Sequence, residues 1–273
     1  MKFKILLSFL SLVVLSIACT TNPFTGKKTM ALVPNSQIFP MAFQQYDQFL
    51  DEHKVITGTT DSQRIKSVGQ KIAAASERWL TANGYAGYLN DYQWEYNLVD
   101  DPAVNAWCMP GGKIVFYTGI LPIAKNEAGI AAIMGHEVAH ALANHGQQRM
   151  SAAQYQALGA VAGNIAMSKD PKNQEAFNMY YGLGTTVGVM LPFSRNHESE
   201  ADKIGLTLMA IAGYDPIVAA ELWQRMKANA GGSAPPEFLS THPSSDTRIN
   251  NITSWAPGAK AEARKFGVTS FKK

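Results

Sequence analysis

Cysteine is nearly absent from this chain of 273 residues: there are two, Cys19 and Cys108. That excludes a disulfide-stapled scaffold, and Cys108 is expected to be a buried, inert thiol. Excess charge is missing too. The formal net charge is +3, and Lys2 and Lys4 account for two of those charges, so the balance gives no reason to expect nucleic acid as a partner. Long apolar runs are scarce. The run from Ile5 to Ala18 is short for a membrane span, and no longer one follows. A 34-residue helical repeat is also lacking in these residues, so a fused partner-binding array is not expected.

What is present centres on His136-Glu137-Val138-Ala139-His140. From Asn126 onward, Ile130, Ile133, Met134, Val138, Ala141 and Leu142 recur three and four apart, the period of a half-buried helix with Asn126 as its N-cap. Residues i and i+4 share a helix face, so the two imidazoles can converge on one metal ion with Glu137 beside its open side. A catalytic zinc takes three protein ligands. The metzincin arrangement needs a glycine and then a third histidine where this chain has Ala143 and Gly146, which excludes it. His145 misses the register by one and reads as a surface or helix-end residue. The alternative is a carboxylate from a later helix, offered by Glu198 and Asp202, again four apart: Glu198 to ligate, Asp202 to orient an imidazole through its free N–H. Glu200 is expected to face solvent.

Segments Asn105–Val115, Asn126–Gly146, Ser194–Gly205 and Thr241–Ile249 together resemble the M48 family of zinc metallopeptidases. The resemblance implies Zn²⁺ held by His136, His140 and Glu198, with Glu137 as general base and Asp202 behind the ligands. It also implies that Asn105 marks a sheet edge on which extended polypeptide substrates pair. His242 would act either at the oxyanion or as a fourth ligand that keeps the enzyme latent. Arg248 would contact the substrate carbonyl or brace its loop against an acid. The fold expected is α+β: a mostly helical zincin-like (gluzincin) metalloprotease domain with a small β-sheet beside the active-site helix.

Residues 1–18 have the basic and apolar regions of a signal peptide, and Leu15-Ser16-Ile17-Ala18-Cys19 resembles a bacterial lipobox with Cys19 as the lipidated residue. This predicts a lipid-anchored protein of the bacterial cell envelope facing the periplasm, at the outer membrane rather than the inner. Residues 19–35 read as a tether, 36–255 as the peptidase domain and 256–273 as a basic tail. Helices are expected at Ser36–Lys54, Asp61–Leu80, Ser151–Met167 and Ile217–Ala228, and strands at Tyr92–Leu98, Ala103–Met109 and Lys113–Thr118. Ser168–Tyr181 is expected as a flap and Gly231–Pro236 as a flexible loop. Asp100 and Asp101 read as a turn. The function expected is zinc endopeptidase action on unfolded or misassembled proteins; the alternative is a latent zinc-bound chaperone or assembly factor for outer-membrane proteins.

Overall fold

The computed structural model describes residues 19–168, 171–185, 190–229 and 237–273. The expected signal peptide and the expected loop at 231–236 lie outside the described residues. In chain order the elements are β1 (Cys19–Thr21), β2 (Lys28–Met30), α1 (Asn35–Glu52), β3 (Val55–Ile56), α2 (Thr60–Ala82), β4 (Glu95–Val99), β5 (Ala106–Met109) and β6 (Lys113–Tyr117). There follow α3 (Leu121–Ala124), α4 (Glu127–Leu142), α5 (His145–Met167), α6 (Pro171–Thr185), α7 (Leu191–Ile211), α8 (Ile217–Asn229), α9 (Glu237–Thr241) and α10 (Asp246–Lys265). The expected mostly helical α+β class is the observed one.

The chain divides into two compact units, one of Met1–Ile38 with Asn144–His197, the other of Phe39–Ala143 with Glu198–Lys273. In the first, β1 and β2 form an antiparallel hairpin, and the Leu32 backbone N–H beyond it donates to Ser151 Oγ at 3.1 Å. Helices α5 and α6 form a hairpin in which Gly159 and Gly163 admit the rings of Tyr181 and Phe177. The expected flap is therefore helical from Pro171 onward, because two glycines on α5 give the α6 aromatics a surface to pack on.

The second unit holds a four-stranded sheet in the order β3-β4-β6-β5. β4 and β6 run parallel and the other pairs antiparallel, and β5 is an edge strand lying against α4. The Tyr92–Leu98 strand begins only at Glu95. The boundary drawn between a domain ending at 255 and a tail at 256–273 falls inside α10, which buries Ala256, Ala259 and Ala263. Beyond it, the Lys272 N–H donates to the Gly213 carbonyl, and the Asp215 N–H to that of Lys272. Alanines spaced three and four apart gave this segment a helical stripe that its basic composition concealed.

Helix α4 starts where Asn126 accepts a hydrogen bond from the Gly129 N–H at 2.9 Å. Every residue from Ala128 to Leu142 is buried. Gly135 and Gly205 bring α4 and α7 into backbone contact: a Cβ on Gly135 would stand 2.8 Å from the Gly205 carbonyl oxygen. That close approach sets the distance between the two helices that carry the site.

Candidate metal centre

His136 and His140 project from one face of α4, as the i, i+4 spacing requires, and their Nε2 atoms lie 3.1 Å apart. Helix α7 brings Glu198 to them, Oε2 at 3.3 Å from His136 Nε2 and Oε1 at 3.2 Å from His140 Nε2. The segment after α9 adds His242, whose Nδ1 is 2.8 Å from Glu198 Oε2 and 3.1 Å from His136 Nε2. One donor atom from each of the four lies within 4.8 Å of every other.

A metal fits this donor set. Ligand atoms about 2.0–2.1 Å from a tetrahedral centre are separated by about 3.3–3.4 Å, close to the spacing of the two Nε2 atoms and the carboxylate. Imidazole nitrogens and a carboxylate turned on one point, almost wholly out of solvent, otherwise leave lone pairs facing one another.

Asp202, one turn beyond Glu198, places Oδ1 3.0 Å from His136 Nδ1. Donation from that N–H leaves the Nε2 lone pair directed at the site. Arg248 holds Asp202 in turn, Nε to Oδ2 at 2.8 Å and Nη2 to Oδ1 at 2.7 Å. It also donates to the Pro243 carbonyl, and Nη1 stands 3.3 Å from Glu198. Arg248 was expected as a substrate contact, with a brace as the other role. It is buried and its guanidinium faces acids, so the geometry is that of the brace. Its flat face lies 3.5 Å from the Trp223 ring centroid. Trp223 also meets His136 edge-on and stacks with Phe238, which packs on His242. Nothing local in the sequence marks Trp223; the side chains its ring meets lie in three other segments.

Charge balance follows from these contacts. Burial opposes ionisation of Glu198, but hydrogen bonds from His136, His140 and His242 outweigh it and hold the carboxyl far below its usual range. Burial likewise works against Asp202, and Arg248 overcomes it, so the carboxylate is kept ionised. Burial alone would lower His136; Asp202 and Glu198 instead push it up to about 9. Glu137 is the exception. Burial raises its carboxyl against the pull of His242 and His136, and its Oε1 accepts no hydrogen bond. His242 Nε2 stands 3.5 Å from that oxygen.

The remaining expectations separate. Asn105 sits at the start of β5, its Oδ1 accepting from the Ala106 N–H. Cys108 is half-buried, with a thiol that burial and the neighbouring Glu137 charge keep protonated. Asp100 pairs with Lys54, and Asp101 Oδ1 accepts from the Ala103 N–H, so both are turn residues. His145, read as a surface or helix-end residue, does begin α5 but is fully buried, stacked on His197 at 4.0 Å. Glu200 is half-buried. Cys19 opens β1 with its residue exposed.

A pair of imidazoles one helical turn apart, joined by a carboxylate from a second helix and flanked by a buried glutamate, is the donor set of a metallopeptidase site. The sequence profile described as Peptidase family M48 matches residues 60–256, and the chain belongs to that family. It is similar to the mitochondrial metalloendopeptidase OMA1 of Schizosaccharomyces pombe, 40% identical over 176 residues, which are 64% of this chain and 50% of that protein. Its namesake in Saccharomyces cerevisiae is 36% identical over 204 residues, 72% and 56% of the two chains. The beta-barrel assembly-enhancing protease of Escherichia coli is 28% identical over 234 residues, 84% and 46%. The chain spans about half the length of these relatives.

These likenesses correct the localisation read from the sequence. A lipid-anchored protein of the bacterial envelope, facing the periplasm at the outer membrane, was expected. The two yeast relatives are instead mitochondrial proteins, and each shares more identity with this chain than the bacterial one does. A short basic and apolar stretch such as Lys2 to Ala18 does not by itself specify a compartment.

Proposed function

We propose that the chain is a zinc-dependent endopeptidase that cleaves extended segments of unfolded or misassembled polypeptides. One observation carries this reading: His136, His140 and Glu198 converge on a single point while Glu137, in the same helix, keeps a buried carboxylate oxygen without a hydrogen bond. Two imidazoles and a carboxylate with no thiolate suit zinc. Zinc held there supplies Lewis acidity, which polarises a carbonyl and makes water acidic enough to ionise near neutral pH.

The chain's own residues do the rest. Glu137 Oε1 is the proton acceptor and returns the proton to the leaving amine; its raised affinity for a proton matches that exchange. Asp202, fixed by Arg248, keeps His136 Nδ1 protonated and the ring oriented. β5 leaves one edge unpaired in the described sheet and runs so close to Glu137 that the two acids, Cys108 and Glu137, feel each other. An extended substrate added along this edge by main-chain hydrogen bonds would lie beside the base whatever its side chains, as action on unfolded segments demands.

A second reading is favoured by His242. Its Nδ1 stands inside the donor cluster, the position of a fourth ligand in a latent form. Casein hydrolysis by wild type, Glu137→Gln and His242→Ala, each with its zinc content measured, separates the readings. An active wild type, silenced in Glu137→Gln and slowed in His242→Ala, supports the endopeptidase with His242 at the oxyanion. A silent wild type beside an active His242→Ala makes His242 a latch. No hydrolysis by either, with zinc present, overturns the proteolytic reading.

A further inference from the structure

Trp223 offers the metal no donor, yet it touches both the ligand His136 and the brace Arg248 behind it. Helix α8, which carries it, packs against α4 and α10, the helices of those two residues. The indole meets the His136 ring edge-on, with 5.9 Å between centroids and 76° between planes. The Arg248 guanidinium lies over it at 3.5 Å from the ring centroid. Trp223 is 3% exposed, and it is fixed in turn from the segments beyond α8. Phe238 stacks on the indole at 5.7 Å, and the Trp223 carbonyl accepts from Ser244 Oγ at 3.0 Å.

The need for such a residue follows from Arg248. Its donors point outward along the edge of the guanidinium plane: Nε and Nη2 to Asp202, Nη1 to the Pro243 carbonyl. Its faces donate nothing, and in a buried site they are best covered by a π-electron surface. Nη2 also stands 3.3 Å from His136 Nδ1. A small turn of the plane would carry this N–H from Asp202 onto the very nitrogen that donates to Asp202, leaving two donors opposed. An indole stacked on the guanidinium resists that turn. An aliphatic side chain would fill the space without favouring one orientation of the cation.

We propose that Trp223 is a positioning residue of the metal centre: by stacking on Arg248 it holds the guanidinium edge on Asp202, and through Asp202 it orients His136. This rests on the reading of the centre as a zinc site. The test is zinc affinity of the full chain, measured by competition with a chelator. Wild type is compared with Trp223→Leu, Trp223→Phe, Arg248→Lys, and each Trp223 variant combined with Arg248→Lys. Lysine keeps a charge opposite Asp202 but has no flat face to stack. Trp223→Leu is expected to weaken zinc binding about tenfold, and Trp223→Phe, which keeps a π face, about threefold. On the Arg248→Lys background either Trp223 variant should add less than about twofold, because the group it acts through has gone. Wild-type affinity in Trp223→Leu overturns the proposal. So do losses that multiply in the double variants, the result a merely structural tryptophan gives. Circular dichroism checks the fold, and Trp223→Phe on both backgrounds carries the comparison if Trp223→Leu loses helix content. Hydrolysis is not the readout, so a chain that binds zinc as expected but cleaves nothing removes the proteolytic reading alone. A wild type that takes no zinc removes both.

Discussion

Helices α4 and α5 follow one another directly, are both rich in small and apolar residues, and end in opposite surroundings. α4 is buried from Ala128 to Leu142, whereas α5 buries only His145, Gln147, Gln148 and Ser151. α4 is the more apolar of the two, and what the glycines meet differs as well. Gly135 meets the backbone of α7, so α4 is packed helix to helix. Gly159 and Gly163 meet only the rings of Tyr181 and Phe177, and the far side of α5 is open among the described residues. Close backbone contact makes a helix that can hold a donor set in place; one-sided packing leaves a helix face in water.

That contrast can be broken at graded cost. Glu137→Gln is expected to lower turnover by about a hundred- to ten-thousand-fold at unchanged zinc content, since only the proton acceptor is lost; wild-type rates would remove Glu137 from the mechanism. Asp202→Asn should weaken zinc binding by about ten- to a hundredfold, read by competition with a chelator, because His136 loses the group that fixes its tautomer. Gly135→Ala pushes a methyl against the Gly205 carbonyl and is expected to cost about 1–3 kcal/mol in thermal or denaturant unfolding. A tolerant Gly135→Ala would mean that α4 and α7 are not fixed by that contact. Ile165→Gln on α5 should change stability by less than about 0.5 kcal/mol, since the side chain is already 69% exposed. A large loss there would show that the face is covered within the protein.

The metal centre was legible in the sequence because its parts are local. Four-residue spacing on a helix fixes which side chains share a face, so His136 with His140, and Glu198 with Asp202, could each be paired without knowing the fold. The N-cap at Asn126 was readable for the same reason. Longer-range contacts were hidden. Arg248 is 46 residues from Asp202, and its side chain has similar reach towards substrate or towards an acid; only burial shows which it met. Trp223 beneath it has no signature beyond its own helix. His145 looked like a surface residue because the ring that covers it, His197, comes from another helix. The segment after Pro171 looked like a flap because its aromatics match the glycines of α5, a relation between two helices rather than within one. The sheet edge at Asn105 came from the family resemblance, and the parallel pairing of β4 with β6 was not readable at all.

The donors of the metal centre are far apart along the chain, and this gives the protein a timetable. His136 and His140 leave the ribosome 58 residues before Glu198. At about 5–20 residues per second, that is an interval of about 3–12 s in which the nascent chain has two histidines and no third donor. His242 comes 44 residues later still. Two imidazoles on an incomplete helix hold zinc weakly, and binding strengthens only as the later helices fold around it. Until then the emerging chain, itself unfolded and extended, lies beside an incomplete donor set.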